Sequence, residues 1–244
     1  SPGDLKASEV NMDIECLLNP GVFEYDGKTW LLIRVAERTF QKDGVLSVPI
    51  YNENGKVEII HFDLKDPKLN ASDSRVIKYD GMDYLTTISH LRLVCSDDGI
   101  QFYEPEGYAS LFGEGAYESY GIEDCRVVKI ENTYHLSYTM VSANGVGVGL
   151  RTTKDWKHFE KKGMVFSPHN KDCAIFEEKI DGKYYALHRP SSPELGGNYM
   201  WLAQSPDGIH WGNHKCIAKT RAGKFDSHRL GAGAAPIKTK KGWL

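Results

Sequence analysis

The chain has 244 residues and a formal net charge of −3, enough length for one large all-β domain or two small ones. Its 41% hydrophobic and 26% charged content excludes a disordered or fibrous chain, and the mixed charges leave neither the basic footprint of a nucleic-acid binder nor an acidic tail. No apolar run approaches the roughly 18 residues that span a bilayer, and the five scattered cysteines, with no CxxC pair, argue against a disulfide framework or a structural zinc site and for a reducing, cytoplasmic setting.

In chain order, a strand–turn–strand unit recurs. It runs over 22–33 around Asp26-Gly27, over 76–85 around Asp80-Gly81, over 127–136 around Glu131-Asn132 and over 176–186 around Asp181-Gly182. A last copy, around Lys241-Gly242, occupies 237–244. Such dipeptides tolerate the positive φ of two-residue hairpin turns, and β-branched and aromatic residues flank them. A second unit follows three of these copies, at 95–102, 152–159 and 204–211. Each sets an Asp at a turn and closes on a large aromatic, Phe102, Phe159 or Trp211. Amphipathic helices of ten or more residues are lacking, which disfavours an α/β reading. A period of roughly 50–60 residues is that of propeller blades rather than of a sandwich. The expected fold is therefore all-β, a β-propeller forming a single domain over 1–244. Because the sequence stops inside the last hairpin, the closing blade is expected to be missing.

Propeller sites form where inner strands converge on a channel, so polar clusters beside the inner hairpins are the candidates. Asn19-Pro-Gly21 and Arg34 flank the first hairpin, and Arg75 precedes the second. Gly121-Ile-Glu-Asp-Cys-Arg126 precedes the third and brings Glu123, Asp124 and Arg126. Asn170-Lys-Asp172 and His188-Arg-Pro190 flank the fourth, and Asp226-Ser-His-Arg229 precedes the last. Neighbouring strand residues face opposite ways, which would separate Glu123 from Asp124. A general acid needs a raised pKa, which a desolvated channel provides, but a turn carboxylate paired with Arg126 fits the residue types as well. His188 and Arg189, followed by Pro190 and two serines, suit an anion site. Arg34, Arg75, Arg126, Arg189 and Arg229 recur at comparable places and would repel one another unless an anion or carboxylates lay among them. One structural Arg–Asp pair per blade is the alternative. No HExxH, GxSxG or GxGxxG signature occurs, so neither a metal nor another cofactor is expected.

Several ordered motifs together resemble glycoside hydrolase family 130, the β-mannoside phosphorylases and related β-mannosidases. They are the stretch from Asn19 to Lys28, Leu32-Ile-Arg-Val-Ala-Glu37, Gly121 to Val127, Asn170 to Asp172, Lys183 to Pro190 and Arg229 to Leu244. The resemblance is nearest to members acting on β-1,2-linked mannose. It implies a five-bladed propeller and inverting phosphorolysis with inorganic phosphate as co-substrate. Asp124 is then the proton donor, acting through the mannose 3-hydroxyl. Arg34, Arg189 and Arg229 bind phosphate. Asn19, Arg75, Glu123, Arg126, Asp172, His188 and Asp226 line the sugar site. Arginines standing where family hydrolases carry glutamates favour phosphorolysis. In the family a Tyr-His-Gly motif, whose His binds phosphate, follows the Gly-Trp-Leu at which this sequence stops. The expected partners are a β-mannoside oligosaccharide and phosphate, with no nucleic acid or membrane, and with homo-oligomer formation open. An inverting hydrolase with Asp172, Glu177 or Asp226 as base, and a sugar-binding propeller without catalysis, are the alternatives. Five-bladed fructosidases and arabinanases rank lower, because Asn19 stands where they carry a carboxylate.

Overall fold

A computed structural model describes residues 1–191 and 196–244. Three blade-like antiparallel sheets follow one another. The first pairs β1 (Met12–Tyr25), β2 (Lys28–Thr39) and β8 (Ile88–Ser96); the insertion between β2 and β8 holds the hairpin β3 (Val45–Tyr51) and β4 (Val57–Asp63) and the small sheet β5 (Leu69–Asn70), β6 (Val76–Tyr79) and β7 (Met82–Leu85). The second is β9 (Ile122–Ile130), β10 (Thr133–Ser142), β11 (Gly145–Thr153) and β12 (Phe159–Phe166). The third is β13 (Asn170–Ile175), β14 (Tyr184–Pro190), β15 (Met200–Ser205) and β16 (Gly212–Ala218). A short hairpin, β17 (Lys238–Thr239) and β18 (Gly242–Trp243), follows.

The sheets stack through their faces. Phe23, Trp30 and Leu32 of the first interdigitate with Val127, Leu136 and Trp156 of the second, and Val128, Val148 and Leu150 of the second meet Ile175, Ala186 and Ala203 of the third. Val127 and Val128 thus face opposite neighbours, as the strand period of two requires. This stacking makes the all-β, propeller-like architecture. The hairpin turns form as the dipeptides demand, with positive φ at Asp26 and Gly27, at Asp80 and Gly81, and at Asp181 and Gly182.

The second repeat is realised as one device used three times. Ser96, Thr153 and Ser205 accept through their hydroxyl oxygens from the backbone N–H groups of Gly99, Trp156 and Gly208, at 2.8–2.9 Å. Asp98, Asp155 and Asp207 each accept from the N–H groups two and three residues on. All three carboxyls are held below their ordinary pKa by such bonds, for Asp155 led by the His158 ring.

One hairpin departs from the expected count. Val76–Leu85 folds as a hairpin, but it pairs with β5 and packs Ile77 into the insertion's own small core with Val48 and Phe62. The third strand of the first sheet is β8 instead. The local turn signal was correct, but a tight turn between apolar runs does not specify which sheet it joins.

Candidate active site

Each inner strand carries the same irregularity. Asn19 and Pro20 together face Ile33, Asp124 and Cys125 face Tyr138, and Asp172 and Cys173 face His188. These are β-bulges, two residues against one, which bend a strand and re-aim its side chains. The first residue of each is left-handed, with φ of 40° at Asn19, 48° at Asp124 and 53° at Asp172. Asn and Asp tolerate this conformation better than other residues with a Cβ. The three bulged residues are all site candidates from the sequence. Gly21, just past the first bulge, lies so close to the second sheet that a Cβ there would stand 2.9 Å from Val127 Cγ2 and 3.0 Å from the Cys125 carbonyl.

The bulge overturns the expected separation of Glu123 and Asp124. Arg34 donates through Nη2 to Glu123 at 2.7 Å and through Nη1 to Asp124 at 3.1 Å, so both carboxylates face one guanidinium. Strand alternation fails here because the left-handed residue interrupts it. Arg34 Nε also donates to Ser89 Oγ at 3.0 Å, and Asn19 Nδ2 donates to Asp124 Oδ1 at 2.9 Å. Burial alone would raise the Asp124 pKa. The Arg34 charge, the hydrogen bonds from Asn19 and Arg34, and the Lys171 charge outweigh it and hold the carboxyl below its ordinary value. Glu123 goes the other way: burial raises it, against Arg34 and Lys171. The raised acid of the ligand-free site is therefore Glu123, not Asp124.

Arg126 is not the salt-bridge partner of Asp124. Its Nη1 donates to the Asp124 carbonyl at 2.8 Å, and the rest of its guanidinium reaches the carbonyls of Gly233 and Ala232. It ties β9 to the segment that follows Arg229. Arg189 donates to Asp172 at 2.5 Å, and burial, opposed by that carboxylate, lowers its pKa; the charges of Arg229 and Asp124 also reach it. Arg34 and Arg189 are true equivalents, opposite Leu18 and Lys171 at the edge of a bulge, and Thr139 holds that slot in the second sheet, opposite Glu123.

Three of the candidates lie apart from the Arg34 network. Arg75 precedes a hairpin of the insertion rather than of a blade; its exposed guanidinium pairs with Asp73, and no hydrogen bond or ion pair among the described residues joins it to the cluster. His188 lies on the face of β14 opposite to Arg189, hydrogen-bonded to Asn170 and to His214 at 3.1 Å and stacked on Phe166. Burial first, then the His214 charge, lowers its pKa to about 4. Asp226 is buried and accepts from Arg221 at 2.8 Å, outside the Arg34 network, while among the described residues its Oδ1 has no partner. Of the two serines after Pro190, Ser191 accepts from Arg189 Nε at 3.3 Å, and Ser192 lies outside the described residues. Sequence reasoning passed over Lys171 and Ser89 as individual residues; only the position of Lys171 beside Asp172 hinted at its place.

Beside the cluster lies a cleft of about 230 Å³ lined by Asn19, Gly21, Arg126 and Gly233; Asn19 and Arg126 connect it to Asp124. A larger cleft of about 670 Å³, between the second and third sheets, is lined by Glu131, His135, Lys154 and Tyr184. It holds none of the cluster's residues, so the chemistry points to the smaller one. Among the described residues no group of three His, Cys, Asp or Glu side chains is placed to hold a metal ion, and no helix is long and apolar enough to cross a membrane.

The family model described as beta-1,4-mannooligosaccharide phosphorylase matches residues 78–244. The chain belongs to glycoside hydrolase family 130. It is 42% identical to a beta-1,2-mannobiose phosphorylase of Listeria innocua, over all of this chain and 70% of that one. It is 38% identical to a 1,2-beta-oligomannan phosphorylase of a Thermoanaerobacter species, over 88% of this chain and 67% of that one. The solved structure of the Listeria innocua enzyme in complex with beta-1,2-mannobiose superposes with a TM-score of 0.92 at 40% identity, covering 99% of this chain and 70% of that one. Membership makes the chain a carbohydrate-active enzyme of the glycoside phosphorylase class.

Proposed function

We propose that this family 130 enzyme cleaves β-mannosides, with β-1,2-mannobiose or short β-1,2-oligomannosides as substrates, by inverting phosphorolysis to α-mannose 1-phosphate. The observation that carries the reading is the charge balance. Arg34, Arg126, Lys171, Arg189 and Arg229 set five cationic side chains against Glu123, Asp124 and Asp172. The excess of two positive charges matches a phosphate dianion. The identity to two β-1,2-mannoside phosphorylases supports the linkage.

In this reading Asp124 protonates the leaving oxygen through the mannose 3-hydroxyl while phosphate attacks the anomeric carbon from the opposite face. The C–O glycosidic bond breaks, a C–O bond to phosphate forms, and the configuration inverts. Asn19 orients Asp124, Arg189 and Arg229 bind the anion with Arg34, and the unpartnered Oδ1 of Asp226 accepts a sugar hydroxyl. A hydrolase would need a free carboxylate as base for water. Of the three candidates, Asp172 is engaged by Arg189 and Glu177 by the backbone N–H of Lys238, whereas Asp226 is paired with Arg221 through Oδ2 alone and stays the hydrolytic alternative. β17 and β18 repeat the inner hairpin, which supports a further blade and the five-bladed ring implied by the family.

The test is product analysis on β-1,2-mannobiose with and without inorganic phosphate. Mannose 1-phosphate formed only with phosphate is the expected result. Free mannose in equal yield without phosphate would make the enzyme a hydrolase.

A further inference from the structure

At Asp124 the assigned role and the charge conflict. The residue placed to act as acid, Asp124, is held ionised, and its principal counter-ion is an arginine assigned to the co-substrate. We propose that the phosphate dianion draws Arg34 away from the Glu123–Asp124 pair and thereby loads that pair with one proton, so that binding of the co-substrate arms the acid. This rests on the phosphorylase reading and goes beyond it, since that reading leaves open how Asp124 comes to carry a proton.

The geometry makes the exchange direct. One guanidinium serves both carboxylates, Nη2 to Glu123 and Nη1 to Asp124, with side chains that are 16%, 10% and 9% exposed. Bidentate phosphate binding uses the same donor fork. The groups facing the pair come from every inner strand. β1 offers only the neutral Asn19 amide, β2 offers Arg34, and β13 offers Lys171, whose charge reaches both carboxylates. Arg189 of β14 is already bound to Asp172, and Arg126 is spent on carbonyl oxygens. Once Arg34 turns to phosphate, two carboxylates one peptide apart keep Lys171 and the weaker reach of Arg189, itself paired with Asp172, and meet a dianion. Like charges this close in a buried site do not both stay ionised, so one proton binds.

The balance closes. The proton comes from solvent on phosphate binding and leaves with the glycosidic oxygen during turnover. Arg34 stays with the phosphoryl group until mannose 1-phosphate departs and then returns to the ionised pair. Linkage makes the effect reciprocal, so a protonated pair also binds phosphate more tightly.

Proton uptake tests this. Inorganic phosphate is titrated calorimetrically into the protein in buffers of different ionisation enthalpy, between about pH 5 and pH 8. The same titration with Asp124→Asn supplies the contribution of phosphate's own ionisation. The wild type is expected to take up more protons than Asp124→Asn, by up to about one per phosphate bound. Glu123→Gln, which removes the second negative charge, is expected to shrink that excess while still binding phosphate. Equal uptake by wild type and Asp124→Asn, with phosphate bound by both, overturns the exchange but leaves the phosphate site standing. An absence of phosphate binding by the wild type overturns the phosphorylase reading itself.

Discussion

Arg34 compensates two buried carboxylates at once, and this sets its value to the fold. Removing one partner of a buried ion pair costs about 3–5 kcal/mol, because the charge left behind has lost its solvent and its partner. Arg34→Met keeps the stem and deletes the charge, and it strands both Glu123 and Asp124. The sign with pH follows from the shifts. In the wild type the depressed Asp124 pKa stabilises the fold above the unfolded value, and that contribution is lost as pH falls through the folded one. In the variant burial acts unopposed by Arg34 and raises both carboxyls, so its deficit is largest near neutral pH and shrinks as pH falls toward about 4. Denaturant unfolding of both proteins at about pH 7 and pH 4.5 checks this. A stability gap that does not narrow on acidification would mean that Arg34 does not serve these carboxylates in solution.

Among the elements, the bulge is what turns three strands into a site, and the segment after Arg229 closes it. Gly231 lies against the Asp172–Arg189 pair: a Cβ there would land on Asp172 Oδ2 and approach Arg189 Nη1 to 3.0 Å. Its φ is not left-handed, so alanine is allowed by the backbone but collides with the pair. Gly231→Ala is therefore expected to displace Arg189 and raise the phosphate KM by about tenfold or more, the equivalent of about 1.4 kcal/mol of binding, with a lowered melting temperature because the buried pair is disturbed. An unaltered phosphate KM would place Arg189 outside the anion site. The same scale shows what the sequence could tell. Asp-Gly turns and the Asp turns of the second unit are local chemistry, with donors and acceptors a few residues apart, and both formed as read, although the Ser or Thr two residues before each Asp was passed over. The Asp device occurs three times, as the blade-like sheets do, whereas the inner hairpin motif also marks the insertion at Val76–Leu85. The left-handed φ of Asn19, Asp124 and Asp172 was not legible, because outside a turn Asn and Asp adopt it only where neighbouring strands enforce it. The shared Arg34 and the turning away of His188 follow from the same register, which residue types alone do not display.

In the whole molecule, stability is shared between sheets, since the two large core clusters each draw on two neighbours. Tyr134 of the second sheet donates to the Glu24 carbonyl of the first at 2.7 Å, and Ser137 donates to the Cys173 carbonyl of the third at 2.8 Å. Trp156 concentrates the effect. It leaves the β11–β12 turn fully buried and stacks on Phe23 of β1 with centroids 3.8 Å apart and planes 12° apart. It also occupies the left-handed turn position, φ 60°, that Gly99 and Gly208 hold in the other two copies. Truncating a buried Trp costs about 3–5 kcal/mol, and hydrogen exchange should show protection falling in β1 as well as in β10. Glycine is ordinarily the more destabilising replacement, because it frees the unfolded chain. Here alanine would retain the strain of a left-handed Cβ, which costs of order 1 kcal/mol, while glycine relieves it. Trp156→Gly is therefore expected to unfold at a higher denaturant concentration than Trp156→Ala, by up to about 1 kcal/mol. If alanine proves the more stable of the two, the turn gives up its left-handed conformation once the indole is gone, and Trp156 rather than the backbone device was holding it.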